Sequence, residues 1–140
     1  MEGCGAGCRD QAGMIEHIGG PVLRGGQAQP LTSVVRVDAP LVFVAGQVPM
    51  LNGQPAAPDI AGQTRYVIGM IEAELKKAGC GLADIVKVTV WLTDKADYPA
   101  FNATYAEIFG TERAPTRSTV VSGLIAPVRI EMEVIAAAQR

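Results

Sequence analysis

Histidine and cysteine are scarce in this chain of 140 residues. His17 is the single histidine, and the three cysteines are an odd number that does not form a disulfide framework. One histidine supplies a zinc site poorly, and it cannot build a Ser-His-Asp set in a region that we expect to be flexible. Cys4 and Cys8 lie in a glycine-rich tail and would need further ligands to bind a metal. We therefore expect no metal site and reduced thiols in a cytoplasmic protein.

The chain also lacks an excess of charge and lacks long apolar runs. It has 12 basic and 14 acidic residues, a net charge of −2, which gives no electrostatic reason to bind nucleic acid or an anionic membrane. No apolar run approaches the roughly 20 residues that span a bilayer. The first eight residues have neither the basic start nor the apolar core of a secretory signal. We expect a cytoplasmic globular protein without nucleic-acid or membrane partners.

The N-terminal part is rich in glycine, proline and glutamine and has little periodic pattern. We predict a flexible extension over residues 1–20 and a single domain over residues 21–140. Within the extension, we hypothesise that residues 1–13 are dispensable for folding and activity.

Periodic patterns in the rest of the chain predict strands and helices. The strands are predicted over 33–37, 41–45, 85–92, 115–121 and 128–136, and the first helix over 60–78. Asp59 is a typical N-cap for this helix, and Gly79 follows its end. The second helix carries Pro99 in its first turn and stops at Gly110. Since only Asp38-Ala39-Pro40 separates the first two strands, we predict that they form a hairpin.

The predicted sheet has two different faces. In the last strand the even positions from Val128 to Val134 are apolar and the odd positions are charged, so one face packs on the helices. Two helices cover only one side of a sheet of about five strands. The other side would expose four apolar residues, namely Ile85, Trp91, Val121 and Ile135. An exposed apolar patch marks an association surface, and we infer a closed homo-oligomer with inward-facing sheets.

Charged residues in the last two strands are the first candidates for chemistry. Arg117 presents a rigid fork of donors that matches a carboxylate, so it either anchors a small acid or forms a salt bridge across a subunit interface. Glu131 either exchanges protons with a bound water or lies on a solvated face, and Glu133 competes for the same role. Asn102 either donates to a substrate carbonyl or fixes a loop, and Gly46 either lets a ligand approach the backbone closely or simply ends a strand.

The ordered set of these segments resembles the Rid (reactive intermediate deaminase, YjgF-like) family of enamine/imine deaminases. The resemblance covers roughly residues 30–138 and is carried by five segments, at 45–49, 81–90, 101–105, 115–118 and 130–136. It implies a chorismate-mutase-like α+β fold, in which a mixed sheet of five to six strands carries two helices on one face. It also implies a homotrimer with active sites between subunits.

The resemblance further implies roles for individual residues. Arg117 matches the arginine that clamps the substrate carboxylate, and Glu131 matches the acid that positions the hydrolytic water. Gly46 and Asn102 match positions that line the cleft. The implied reaction converts a small 2-imino acid, or a related enamine, to the 2-oxo acid and ammonia without a cofactor.

Three positions depart from the best-known branch of that family. Thr32 stands where a tyrosine is typical, Ala45 replaces a serine and Thr119 replaces a cysteine. We predict that Thr32 and Thr119 contact the substrate. Because the pocket differs at these positions from that of the best-known branch, we expect the side chain of the substrate to differ as well. The departures leave room for a pathway-specific deaminase of catabolism or natural-product assembly, or for a binding or regulatory protein without turnover. Nuclease activity is disfavoured by the acidic balance, and a holdase-like chaperone role remains open.

Overall fold

Two helices pack against one face of a mixed β-sheet in the computed structural model, which describes residues 15–138. The α+β class is as predicted. The strands are β1 (Ile15–Arg24), β2 (Gln27–Val37), β3 (Leu41–Gln47), β4 (Met50–Leu51), β5 (Gln54–Pro55), β6 (Ile85–Leu92), β7 (Thr116–Val121) and β8 (Ile130–Ala137). The helices are α1 (Ile60–Lys76) and α2 (Tyr98–Phe109), with short 3-10 turns at Leu82–Asp84 and Lys95–Asp97.

The central sheet has four strands in the order β3-β8-β6-β7. Strands β6 and β7 are parallel, and the other pairs are antiparallel. Strands β1 and β2 form a separate antiparallel pair whose second strand lies beside β7, where the Thr32 amide donates to the Pro115 carbonyl at 3.3 Å. Strands β4 and β5 join at Asn52-Gly53, where both residues have positive φ, which confirms the predicted turn.

Capping residues fix the ends of α1. The Asp59 side chain accepts a hydrogen bond from the Gly62 amide at 2.9 Å, as an N-cap does. The helix ends at Lys76, two residues before the predicted end, and Gly79 follows with a φ of 73°. Helix α2 begins at Tyr98, has Pro99 in its first turn and is capped by Gly110, as predicted.

The alternation in β8 separates the two faces of the sheet. Ile130 and Met132 are fully buried in the core under the helices, whereas Glu131 is half-buried and Glu133 is exposed. The opposite face, which we call the uncovered face, carries no helix, and Phe43 is 70% exposed there, although Ile135 packs against a second, smaller cluster that includes Ile15. Trp91 and Ile135 on that face are half-buried.

Two expectations about the start of the domain need correction. Residues 15–20, which we placed in a flexible extension, belong to β1 and pair with β2. The predicted hairpin of 33–37 with 41–45 is wrong, because β2 pairs with β1 and β3 pairs with β8. Both segments are strands, but they belong to different sheets. The proposed dispensable residues 1–13, with Cys4 and Cys8, lie outside the described residues.

The expected exposure of Ile85 is also wrong. Ile85 is 2% exposed and belongs to the main core. Val121 is 55% exposed, but it is in register with buried Leu92, so it does not lie on the face of Trp91 as predicted. The β6–β8 register shifts between Ile85 and Lys87, and this irregularity turns Ile85 toward the helices. Between residues 15 and 138, no helix is long and apolar enough to cross a membrane.

Candidate active site

Arg117 is buried on the helix-covered side of β7. It is 8% exposed, and its register partner Val88 lies in the main core. The guanidinium carbon lies 4.8 Å from the ring centroid of Tyr105, 5.2 Å from that of Phe101 and 5.8 Å from that of Tyr98. These rings of α2 hold the cation against an apolar wall, where cation–π attraction offsets part of its desolvation.

Neutral polar groups fix the orientation of the Arg117 side chain. Nη1 donates to Asn102 Oδ1 and Nη2 donates to the Tyr98 hydroxyl, both at 2.9 Å. Asn102 is held in turn, because its Nδ2 donates to Gln29 Oε1 at 3.2 Å. Arg24 also donates to the Tyr98 hydroxyl, at 3.1 Å. The structure thus brings the predicted residues Arg117 and Asn102 together.

No carboxylate of residues 15–138 forms an ion pair with Arg117. Burial lowers the pKa of Arg117, and its interaction with Tyr98 partly offsets that effect. An arginine remains charged even so. The site therefore holds a buried cation whose direct partners are all neutral, an arrangement that an anionic ligand would complete.

Two buried hydroxyl groups near Arg117 have no hydrogen-bond partner among residues 15–138. They belong to Thr119, two residues further along β7, and to Tyr105, whose ring stacks on the guanidinium. Burial raises the pKa of Tyr105, and the charge of Arg117 opposes that shift. Unpaired buried hydroxyls are rare, so these two are candidate contacts for a bound ligand or a neighbouring subunit.

Thr32 supports the same region from β2. It is 1% exposed, and its hydroxyl donates to the Ala114 carbonyl while its amide donates to the Pro115 carbonyl. These bonds hold the segment that leads into Arg117. A contact between Thr32 and the substrate stays a prediction.

Glu131 and Gly46 form a second group. The Glu131 carboxylate lies where a Cβ of Gly46 would stand, so any other residue at position 46 would collide with it. Within residues 15–138 no basic side chain forms an ion pair with Glu131. Glu133 is exposed whereas Glu131 is half-buried, which favours Glu131 of the two.

The two groups lie on opposite faces of one sheet. Arg117 is in register with buried Val88, whereas Glu131 is in register with Trp91 on the uncovered face. Since neighbouring side chains alternate across a strand, these registers separate the two charged groups. A single chain does not bring Arg117 and Glu131 to the same small molecule.

Sequence reasoning missed three members of the Arg117 group: Arg24, Gln29 and Tyr98. They are 93, 88 and 19 residues distant in sequence, so spacing gave no signal. A tyrosine at the start of α2, one turn before Asn102, was the one available hint.

One groove of the described chain lies away from the predicted site residues. A groove of about 300 Å³ lies between β3 and the end of α1, beside Phe43, Glu74 and Lys77, and none of the predicted site residues lines it. In the part of the chain that the structure describes, no three histidine, cysteine or acidic side chains are grouped to hold a metal ion.

Known proteins resemble this chain over most of its length. Residues 26–138 match the family model described as Endoribonuclease L-PSP. A RutC family protein of Pyrococcus abyssi is 41% identical over 109 residues, which cover 76% of this chain and 85% of the relative. The 2-iminobutanoate/2-iminopropanoate deaminase of Escherichia coli is 37% identical over 100 residues, covering 69% and 78%.

A solved structure has the same fold. It is a member of the YjgF/YER057c/UK114 family from Mycobacterium tuberculosis, 36% identical with a TM-score of 0.62, and the match covers 76% of this chain and 85% of that one. The chorismate-mutase-like fold expected from the sequence is confirmed.

Proposed function

The chain belongs to the Rid (YjgF-like) family, and from this premise we propose that it is an imine/enamine deaminase. Its substrate is a small 2-imino acid, or the related enamine, and its products are the 2-oxo acid and ammonia. Relatives named as deaminases support this reaction type.

One observation carries the proposal. Arg117 is a buried, oriented cation that forms no ion pair with a carboxylate of the described chain. Structural buried arginines normally have a charged partner, because an unpaired buried charge is costly. A substrate carboxylate supplies the missing partner and binds the guanidinium through two hydrogen bonds.

The second catalytic residue comes from another copy of the chain. Glu131 faces away from Arg117 across the sheet, so we propose that the Glu131 of a neighbouring subunit meets Arg117 at an interface. The exposed apolar side chains of the uncovered face, such as Phe43, supply the contact area for that interface. We propose a homotrimer, in which each of three clefts takes Arg117 from one chain and Glu131 from the next.

The chemistry needs only these side chains and water. Arg117 holds the carboxylate of the substrate. The carboxylate of Glu131 takes a proton from a water molecule while the oxygen of that water bonds to the imine carbon. The same proton passes to the nitrogen of the resulting carbinolamine. Glu131 then takes the proton of the new hydroxyl and passes it to the nitrogen as well, so the C–N bond breaks, ammonia leaves, and the carbon–oxygen bond becomes the carbonyl of the 2-oxo acid.

Other predicted site residues have supporting roles in the proposal. Asn102 positions Arg117, and the unpartnered hydroxyl of Thr119 contacts the substrate. Thr32 contacts the substrate from the edge of the same region, and Gly46 leaves the space that the Glu131 carboxylate needs.

The test is imine hydrolysis by the Arg117→Ala variant. An amino-acid oxidase generates the imine of alanine or 2-aminobutyrate in situ, and semicarbazide traps the imine that survives. Loss of a charge-assisted pair of hydrogen bonds should lower kcat/KM by about 100-fold or more, with an unchanged oligomer in light scattering. The matched control is Arg65→Ala, which removes an exposed arginine that pairs with Glu107 on the helices. Full activity of Arg117→Ala would reject the assignment.

The same assay separates deamination from ligand binding alone. A binding or regulatory protein would bind 2-oxo acids through Arg117 but would give no wild-type turnover, and Glu131→Gln would then change nothing. Nuclease activity, which the description of the family model names, would require salt-sensitive RNA binding despite the net charge of −2.

A further inference from the structure

The hydroxyl of Tyr98 accepts a hydrogen bond from each of two arginines. Arg117 donates through Nη2 at 2.9 Å, and Arg24 donates through Nη1 at 3.1 Å. Since both nitrogens bond to one oxygen, they are at most about 6 Å apart. Arg24 is the last residue of β1, beside the turn that leads into β2.

Neither of these arginines forms an ion pair with a carboxylate among residues 15–138. The acidic residue next to Tyr98 in the sequence, Asp97, pairs with Arg129 instead. Burial is the main cause that lowers the pKa of Arg117, and the nearby charge of Arg24 also lowers it. The site thus holds two like charges whose repulsion is relieved by negative charge on a ligand.

The two charges differ in depth. Arg117 is buried behind the rings of α2, whereas Arg24 is exposed at the tip of the β1–β2 hairpin, and Tyr98 lies between them. A substrate whose carboxylate reaches Arg117 therefore has its far end nearer to Arg24. One carboxylate neutralises one of the two charges, and a second acidic group at the far end neutralises the other.

We propose that Arg24 determines specificity and that the preferred substrates are imino acids with a second acidic group. Arg117 binds the carboxylate beside the imine carbon, and Arg24 binds the acidic group of the side chain. The inference rests on the proposed deaminase function and adds the class of substrate.

Matched substrates test it. The imines of glutamate and norvaline have the same number of carbon atoms and differ in the second carboxylate. We expect the wild type to favour the glutamate imine in kcat/KM. Arg24→Gln should reduce that preference by about tenfold or more, the usual contribution of a hydrogen bond between charged groups.

The control variant is Arg36→Gln. It removes the same charge from the same hairpin, but Arg36 pairs with Glu16 and has no contact with Tyr98. It should leave the preference between the two imines unchanged. An equal loss for both imines in Arg24→Gln would show that both arginines grip a single carboxylate or that Arg24 only positions Tyr98, and either result overturns the proposal.

A binding measurement separates this inference from the deaminase function. Calorimetric titrations compare 2-oxoglutarate with 2-oxopentanoate on the wild type and on Arg24→Gln. If 2-oxoglutarate binds more tightly, this preference depends on Arg24 and no turnover occurs, the contact of Arg24 with a second acidic group is retained and the deaminase function is rejected. Turnover with equal binding of the two acids would retain the deaminase and reject the second-acid contact.

Discussion

The carboxylate of Glu131 lies against the backbone of Gly46, in the space that a Cβ at that position would fill. The two residues belong to neighbouring strands, and the pairing register shifts between Val44 and Gln47, at the same place. The missing side chain at position 46 therefore sets where the carboxylate can lie. This contact gives a way to move the proposed general base without replacing it.

Gly46→Ala should displace the Glu131 carboxylate and lower kcat by about tenfold or more, because small misplacements of catalytic groups are costly. The colliding atoms are at the end of a flexible side chain, so the fold should survive. The measurements are kcat, KM and urea unfolding. Gly69→Ala is the control, since that exposed glycine of α1 has open space around it and alanine favours the helix. An unchanged kcat in Gly46→Ala would argue against a role of Glu131 in the reaction.

Mixing two inactive variants should restore activity if the site is shared between copies. Arg117→Ala and Glu131→Gln chains, unfolded together and refolded at equal concentrations, would form trimers in which about one quarter of the clefts have both native residues. Activity near that fraction is the expected result. Each variant refolded alone is the control and should stay inactive. No recovery in mixed trimers would place both residues in one subunit's site, against the registers of β7 and β8.

Phe43→Asp should dissociate the proposed trimer. Phe43 is 70% exposed on the uncovered face, and a buried carboxylate at a subunit contact would be costly. Light scattering should show single chains, and imine hydrolysis should disappear although Arg117 and Glu131 are intact. Leu51→Asp is the control, because Leu51 is also exposed but lies on the separate β4–β5 hairpin. An intact trimer in Phe43→Asp would remove this face from the interface.

Tyr105→Phe should leave stability unchanged or raise it by about 1 kcal/mol at neutral pH, because the buried hydroxyl has no hydrogen-bond partner to lose. The advantage should grow in alkali. Burial raises the pKa of Tyr105, so the unfolded chain releases the phenolic proton first, and wild-type stability falls as pH rises above about 10. Urea unfolding at about pH 7 and about pH 10.5 measures both effects. A loss of more than 1 kcal/mol at neutral pH would mean that the hydroxyl has a partner in the assembled protein.

Local signals in the sequence were enough for much of the fold. Asp59 and Gly79 mark the ends of α1 through backbone conformation, which depends on neighbouring residues alone. The alternation of apolar and charged residues around Glu131 predicted that one face of β8 packs in the core, as it does. These features are decided within a few residues of chain, so they can be predicted from it.

Pairing between strands was less predictable. Asp38-Ala39-Pro40 looks like a hairpin turn, but the Pro40 carbonyl accepts from the Ala138 amide and continues the pairing of β3 with β8. Strand propensity does not name a partner, and tertiary packing made the choice. The register shift beside Ile85 also arises from strand pairing, so the burial of Ile85 could not be predicted from the local sequence.

The candidate site also contains residues that the sequence could identify and contacts that it could not. Arg117, Asn102 and Glu131 were found by their residue types and by family resemblance. The contacts of Tyr98 with Arg117 and Arg24 depend on the start of α2 lying close to both β7 and the end of the β1–β2 hairpin. That arrangement is a property of the whole fold, and no local pattern encodes it.

A sheet that carries its cation on one side and its carboxylate on the other has a consequence for kinetics. If each cleft takes Arg117 from one chain and Glu131 from the next, as proposed, specific activity should fall on dilution, since a chain without neighbours has only half of each pair. A variant chain would also inactivate the cleft that it shares with a wild-type chain, so the loss of activity would not be confined to the chain that carries the substitution.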